Sequence, residues 1–268
     1  MDLSKSVKLL IIVLIIWIVL AILFGIYDGI YDLEISIALV NENSSWGNFG
    51  ADYGEIPGYA LIAIALATWL GSYIKNVKKQ KILIILAVIT GIIILFLGIF
   101  DNDNTDISLG ISLIIVPLLY LFTTWNKDWK SYRKVAFIIS ILAIINPLLL
   151  VQLIKLFWGR VRFRDLAIGY TNFTPWFIPL GITGNFSFPS GHAAMGWMFL
   201  PLLIIGKKED IKFPLKLTLL IGILGWGMFV AMSRVIVGAH YCSDVLFSTG
   251  FAAVITILLY RKIYLRNI

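Results

Sequence analysis

The sequence predicts an all-α fold, a polytopic membrane helix bundle of about eight transmembrane helices, and three observations predict it. Of 268 residues, 60% are hydrophobic and only 14% charged, against about 45–50% and about 25% in a water-soluble domain. The mean hydropathy is +0.93. The apolar residues fall in blocks of roughly twenty, the length that carries a helix across about 30 Å of hydrocarbon. These blocks lack the period-two alternation of barrel strands, so each segment must satisfy its backbone polar groups within its own helix. A soluble domain, a disordered chain and a disulfide scaffold are excluded; the single cysteine, Cys242, has no partner for an internal bridge.

The first run, residues 9–27, follows Lys5 and Lys8. It exceeds the 7–15 residues of a cleaved signal core and no small-residue cleavage site follows it, so it reads as a membrane helix. Residues 56–74, 82–100, 107–125, 135–154, 190–206, 217–237 and 245–260 supply the other seven runs. Without internal repeats or long linkers, the chain reads as one membrane domain, 1–268. Residues 1–134 are its N-terminal helices and 135–268 a core that carries the candidate chemistry.

Lys and Arg are retained on the cytoplasmic side of a membrane. Here they fill every second connection: Lys5 and Lys8, Lys75 to Lys81, Lys127 to Lys134, Lys207 to Lys216, and Arg261 to Arg266. The first two alternate connections carry Asp28, Asp32, Glu34, Glu42, Asp52 and Glu55, then Asp101, Asp103 and Asp106, with no Lys or Arg. Eight crossings with both termini cytoplasmic fit this alternation. The net charge of +7 then reflects anchoring to anionic lipid rather than nucleic-acid binding.

Five basic residues break the pattern: Lys155, Arg160, Arg162, Arg164 and Arg234, all on the outward face. Cations placed against the topological bias and near hydrocarbon are costly, which predicts a negative group on that face. The longest outward loops are residues 28–55, with the interfacial aromatics Trp46, Phe49 and Tyr53, and residues 158–189.

The only two histidines, His192 and His240, lie beside these cations. In Phe188-Pro189-Ser190-Gly191-His192, Pro and Gly bracket a helix start and Ser190 is a candidate N-cap. Free backbone N–H groups there make an anion site. His240 precedes Asp244 by four positions; on a helix starting near His240, the carboxylate can hold one imidazole nitrogen and leave the other as a nucleophile. The plain alternative is a capping pair. Lys155 and Arg162 end the preceding run, where snorkelling to the interface is the plain alternative and phosphate binding the chemical one. His192, His240 and Asp244 also match a two-His, one-carboxylate metal set, although Lys and Arg around them would repel a cation. Arg160 and Arg164 read either as headgroup contacts or as interfacial anchors, and Cys242 as packing.

These three segments resemble the type 2 phosphatidic acid phosphatase superfamily, whose motifs run KxxxxxxRP, PSGH and SRxxxxxHxxxD. Lys155 and Arg162 fit the first, Pro189-Ser190-Gly191-His192 is the second, and Ser233, Arg234, His240 and Asp244 supply the third. Phe163 stands where the first motif has Pro. The resemblance covers residues 155–244 and flanking helices; family members commonly have six crossings, so two helices are additional here. It implies that His240 attacks phosphorus, Asp244 orients it, and His192 protonates the leaving oxygen and then activates water. Lys155, Arg162, Arg234, Ser190 and Gly191 would bind the phosphate oxygens, with no metal and no cofactor.

The expected function is therefore an integral membrane lipid phosphatase acting on a lipid phosphomonoester or pyrophosphate at the extracytoplasmic leaflet. Polyprenyl pyrophosphate and phosphatidylglycerol phosphate are favoured over phosphatidic acid, since a short chain rich in Ile and Lys without a eukaryotic targeting signal looks bacterial or archaeal. A phosphotransferase using the same site and a non-catalytic anion or lipid transporter are the alternatives. A soluble vanadate-dependent halide oxidase is disfavoured by the hydropathy.

Overall fold

The computed structural model describes residues 3–207 and 212–265, and Lys208 and Arg266 of the cation pattern lie outside them. Helix α1 spans Leu3–Leu39, α2 Ser45–Tyr53, α3 Ile56–Gly71, α4 Leu83–Asp101 and α5 Asn104–Thr124. Helix α6, Arg133–Ala143, continues through a π-helical segment, Ile144–Leu150, into α7, Val151–Trp158. Helix α8, Gly191–Gly196, runs on as 3-10 helix over Trp197–Lys207; α9 is Phe213–Ile236 and α10 Cys242–Tyr260.

Among the described residues, seven helical stretches are long and apolar enough to cross a membrane, so the chain is a multi-pass bundle. The eighth apolar run, expected over 190–206, forms a shorter apolar helix, Gly191–Ile205. Pro201 lies inside its 3-10 part, where it cannot donate a backbone hydrogen bond. Large apolar side chains cover the outside, Ile12, Leu86 and Phe122 being 53%, 61% and 83% exposed. A surface this apolar is stable against lipid tails and not against water.

Small residues let helices cross closely, as expected where helix association rests on van der Waals packing. Between α4 and α5, a side-chain carbon on Gly98 would lie 2.6 Å from the Ile107 nitrogen, and one on Gly110 2.5 Å from that of Leu95. The hairpin itself is fixed by Asn102, left-handed at φ 53° with its N–H on Gly98 O. Asp103 then caps α5 by accepting from the N–H groups of Thr105 and Asp106. Where α1 meets α10, the Trp17 indole lies over Gly250 and meets Phe247 and Phe251 edge to face.

The connection over residues 28–55, expected as an outward loop, is not a loop for most of its length. Helix α1 continues to Leu39, so Asp32 and Glu34 sit on helix, and Ser45–Tyr53 is helical again. Within α1, Gly29 takes φ 77°, and a side chain there would strike Pro175 at 2.9 Å. The departure from helical backbone lets the 158–189 segment rest against α1 directly above Asp32.

Candidate active site

The start of α8 and the start of α10 are stitched together at one end of the bundle. Ser190 N–H donates to Asp244 O at 3.2 Å, and Ser248 Oγ donates to Ser190 O at 2.6 Å. Ser190 caps α8, its hydroxyl accepting from Ala193 N–H. The PSGH segment, with a cis Phe188–Pro189 peptide, and the His240–Asp244 turn therefore share one local frame.

His240 is buried, 1% exposed. It lies ahead of α10 rather than on it: Tyr241 is the N-cap, and Asp244 folds back from the first turn to accept the Tyr241 N–H at 3.0 Å. The same oxygen, Oδ2, lies 3.4 Å from His240 Nδ1. The pairing anticipated for two residues on one helical face is thus made across a capping turn. Burial holds His240 down to about 3, against the pull of Asp244, so its ring is neutral at physiological pH and Nε2 carries a free lone pair.

His192, the second residue of α8, is partly exposed. Its Nδ1 lies 2.9 Å from Glu55 Oε1, and Tyr59 donates to the other Glu55 oxygen at 3.2 Å. Glu55 precedes α3 directly. Each imidazole is thus held by a carboxylate through Nδ1 and presents Nε2.

The cations of the first and third motifs gather at the same end. Lys155, in the last turn of α7, places Nζ 3.6 Å from the point where Gly191 would carry a side chain. Arg162 begins the 3-10 turn Phe163–Asp165. Arg234, in the last turn of α9, is largely buried, and its Nη1 donates to Ala51 O at 3.3 Å. Lys155, Arg162 and Arg234 are within electrostatic reach of one another. None of them makes an ion pair among the described residues; Glu55, near Arg234, is engaged by His192. The Nε groups of Arg162 and Arg234 are buried with no hydrogen-bond partner. Buried unpaired donors on charged groups cost more than neutral ones, and a polyanion with several acceptor oxygens removes that cost.

Arg160 departs from expectation. It is neither a headgroup contact nor an interfacial anchor but fully buried, because Gly159, left-handed at φ 63°, ends α7 and turns the chain inward. Its guanidinium bridges Asp244 Oδ1 at 2.6 Å and Asp32 Oδ2 at 2.9 Å, and its Nε donates to Thr174 O at 2.9 Å. Arg164 is 37% exposed and 4.0 Å from Asp165, in keeping with an interfacial position. Phe163, in place of the motif proline, stacks on Tyr170 and meets Tyr241 edge to face behind His240. Cys242 packs against the apolar cluster around Ala231 and Val245.

Sequence reasoning missed Glu55, Arg160, Asp32, Ser187 and Ser243 as neighbours of the two imidazoles. One signal was available: an ionisable residue placed against the topological bias has a partner by default, and Arg160 qualified; Asp32, in an acidic outward connection, gave no such signal. Among the described residues no three His, Cys, Asp or Glu side chains are grouped so that they could hold a metal ion.

A groove of about 330 Å³ opens beside the cationic end. Glu55, Gln152 and Gly191 line its polar mouth, and Ile62, Ala143, Leu148 and Met195 its apolar wall between α3 and α6. It lies beside the π-helical segment, where Pro147 interrupts the α-helical ladder.

The fold defines a multi-pass membrane protein in which two histidines and three cations without an ion pair among the described residues gather at one end of the bundle. The chain belongs to the PAP2 superfamily, whose family model matches residues 135–268. It is 34% identical over 159 residues to the lipid A 4'-phosphatase of Francisella tularensis subsp. novicida, covering 56% of this chain and 68% of that protein. It is 36% identical over 78 residues to the phosphatidylglycerophosphatase B of Haemophilus influenzae, covering 28% of this chain and 32% of that protein. No solved structure matches.

Proposed function

We propose that this protein is a lipid phosphatase that releases phosphate from a lipid phosphomonoester or pyrophosphate through a phosphohistidine. The observation that carries the reading is the set of three unneutralised cations, two with orphaned buried Nε donors, beside a neutral His240 held at Nδ1. Phosphoryl transfer asks for an in-line nucleophile, a proton for the leaving oxygen and fixed positive charge around the equatorial oxygens.

In the first step the His240 Nε2 lone pair forms a bond to phosphorus while the bond to the leaving oxygen breaks, its electron pair going to that oxygen. His192 supplies the proton. Positive charge appearing on the phosphorylated imidazole is met by Asp244. Lys155, Arg162 and Arg234, with the Ser190 hydroxyl and the Gly191 N–H, hold the three phosphoryl oxygens. In the second step a water attacks phosphorus, His192 takes its proton, and the P–N bond returns its electron pair to His240. Fixed cations already supply the charge stabilisation that a divalent ion would bring, so the reaction is proposed to run without metal.

The groove beside Glu55, about 330 Å³ in volume and lined mostly by apolar side chains, supports a substrate with an acyl or isoprenoid tail. The distribution of Lys and Arg supports cytoplasmic termini, an extracytoplasmic site in the cell membrane, and a C-terminal core, 135–268, flanked by additional helices in 1–134. Candidate substrates are polyprenyl pyrophosphate, phosphatidylglycerol phosphate, phosphatidic acid and, from the Francisella relative's name, a phosphorylated lipid A.

Purified protein in detergent, given these four lipids with a chelator present, tests the proposal by phosphate released. Release from at least one lipid, lost in His240→Ala, is the expected result. Lipid binding with no release from any of them would favour a transporter, and phosphate appearing on a second lipid would favour a phosphotransferase.

A further inference from the structure

Asp244 has four partners, and only one of them is the imidazole. Its Oδ2 receives the Ser187 hydroxyl at 2.5 Å and the Tyr241 N–H, as well as facing His240. Its Oδ1 is given to Arg160. Arg160 lies with its guanidinium carbon 3.9 Å from the centre of the Tyr241 ring, so the residue next to His240 is sandwiched by the same cation. Behind Arg160 stands Asp32 of α1, whose two oxygens accept from Arg160, from the Ser243 N–H at 3.0 Å and from the Ser243 hydroxyl. Ser243 also accepts from Arg160 at 2.8 Å.

Asp32, Arg160 and Asp244 are all fully buried. A lone charge at such depth costs several kcal/mol, and a chain of ion pairs is tolerated only where each member is satisfied. A bridging guanidinium has a geometric effect that a lysine does not, because its planar fork fixes the direction of both carboxylates at once. With Oδ1 committed to the fork, Oδ2 has one orientation left, toward the capping N–H and the imidazole.

We infer that Arg160 and Asp32 are positioning residues for the nucleophile: Asp32 anchors Arg160, Arg160 fixes Asp244, and Asp244 fixes the ring and tautomer of His240. The inference rests on the phosphatase reading for its catalytic consequence, and it gives α1, which lies outside the segment matched by the family model, a place in the active centre. It explains why an acid stands in α1 at a depth where an apolar residue would be cheaper. It also separates Arg160 from the three cations left for substrate, since Arg160 is neutralised by protein carboxylates and they are not.

The test uses the full chain in lipid nanodiscs, with Asp32→Asn and Arg160→Lys compared with wild type. With only two histidines in the chain, imidazole ¹⁵N spectra of histidine-labelled protein report the His240 tautomer directly, His192→Gln serving for assignment. Wild type is expected to show a single His240 tautomer protonated on Nδ1. In both variants the Nε2-protonated form should become populated, and kcat should fall about 10–100-fold, the usual cost of losing an outer-shell partner, with KM within about twofold. Arg160→Lys keeps the charge and loses the fork. If it fails to accumulate as a monodisperse species, Asp32→Asn, isosteric and still able to accept from Ser243, carries the test.

Unchanged His240 spectra in folded Asp32→Asn would overturn the inference whatever the activity, since any loss of kcat would then come by another route. A shifted tautomer with kcat intact would overturn its bearing on catalysis. A wild type that releases no phosphate from any lipid refutes the phosphatase reading instead, and the spectra still decide whether Arg160 and Asp32 orient the imidazole.

Discussion

His192 Nδ1 lies 2.9 Å from Glu55 Oε1, so the imidazole of the PSGH segment is tied to a carboxylate that belongs to a different part of the chain. Glu55 sits immediately before α3 and is itself held by Tyr59. The contact fixes which His192 nitrogen is left free.

Replacing Glu55 with Gln is therefore expected to lower kcat about 10–100-fold with little change in KM, a part of the roughly 10²–10⁴-fold that a general acid–base group contributes. Steady-state phosphate release across pH checks it. A kcat within twofold of wild type, or a loss confined to KM, would contradict the assignment.

Lys155→Met, Arg162→Gln and Arg234→Gln each remove one cation from the oxyanion pocket. Vanadate, a phosphate analogue that takes five-coordinate geometry, should inhibit each variant at least tenfold more weakly than wild type, since a charge-assisted hydrogen bond is worth about 1.5–3 kcal/mol. Arg164→Gln, which removes an exposed side chain, should leave inhibition unchanged and serves as the control.

Burial lowers His240 to about 3 from an ordinary value of 6.5. In the unfolded chain it takes a proton as pH falls below about 6.5, while the folded protein stays neutral there. The stability linked to this residue is complete above pH 6.5 and lost as pH falls, amounting to about 2 kcal/mol by pH 5. The Tm of wild type in detergent should drop more between pH 7 and pH 5 than that of His240→Gln. Equal drops would show that His240 is protonated in the folded protein.

A side-chain carbon on Gly250 would lie 2.3 Å from the Trp17 ring. Gly250→Val should therefore force α1 off α10 and cost about 1–3 kcal/mol, the usual penalty for overpacking. Trp17→Ala combined with Gly250→Val should recover part of it. Thermal unfolding of the two single variants and the double variant measures the coupling, and strict additivity would contradict the packing described.

Met195→Trp and Leu148→Trp narrow the groove beside Glu55. They are expected to raise KM for a long-chain lipid phosphate at least tenfold while leaving a short-chain or water-soluble phosphate ester nearly unaffected. Equal effects on both substrates would place the tail elsewhere.

Much of this architecture could be read from residue order, and the reasons are physical. Long apolar runs have one stable form in lipid, so an all-α multi-pass bundle was foreseeable. Ser190 followed by Gly191 and His192 is a helix start by local chemistry alone, and the capping bond is present. The run at 190–206 is helical as expected, but hydropathy does not register its change from α-helix to 3-10 helix at Trp197, with Pro201 inside the 3-10 part. Glu55, Asp32 and Arg160 were missed for a different reason. Their partners lie 128 positions apart for Asp32 and Arg160, and no local periodicity encodes such a meeting. Arg160 and Arg162 look alike in sequence, yet one is consumed by carboxylates and the other retains an unpaired donor.

The hydrogen bonds that join Ser190 to Asp244 and Ser248 have a bearing on how substrate is exchanged. Because His192 and His240 sit at the two helix starts that these bonds join, they form one jaw of the pocket whose halves are tied directly to each other. The opposing jaw is the α2–α3 corner, which reaches the pocket through Glu55 and through the carbonyl of Ala51 that receives Arg234. On the phosphatase reading, a substrate would pass between that corner and the joined helix starts.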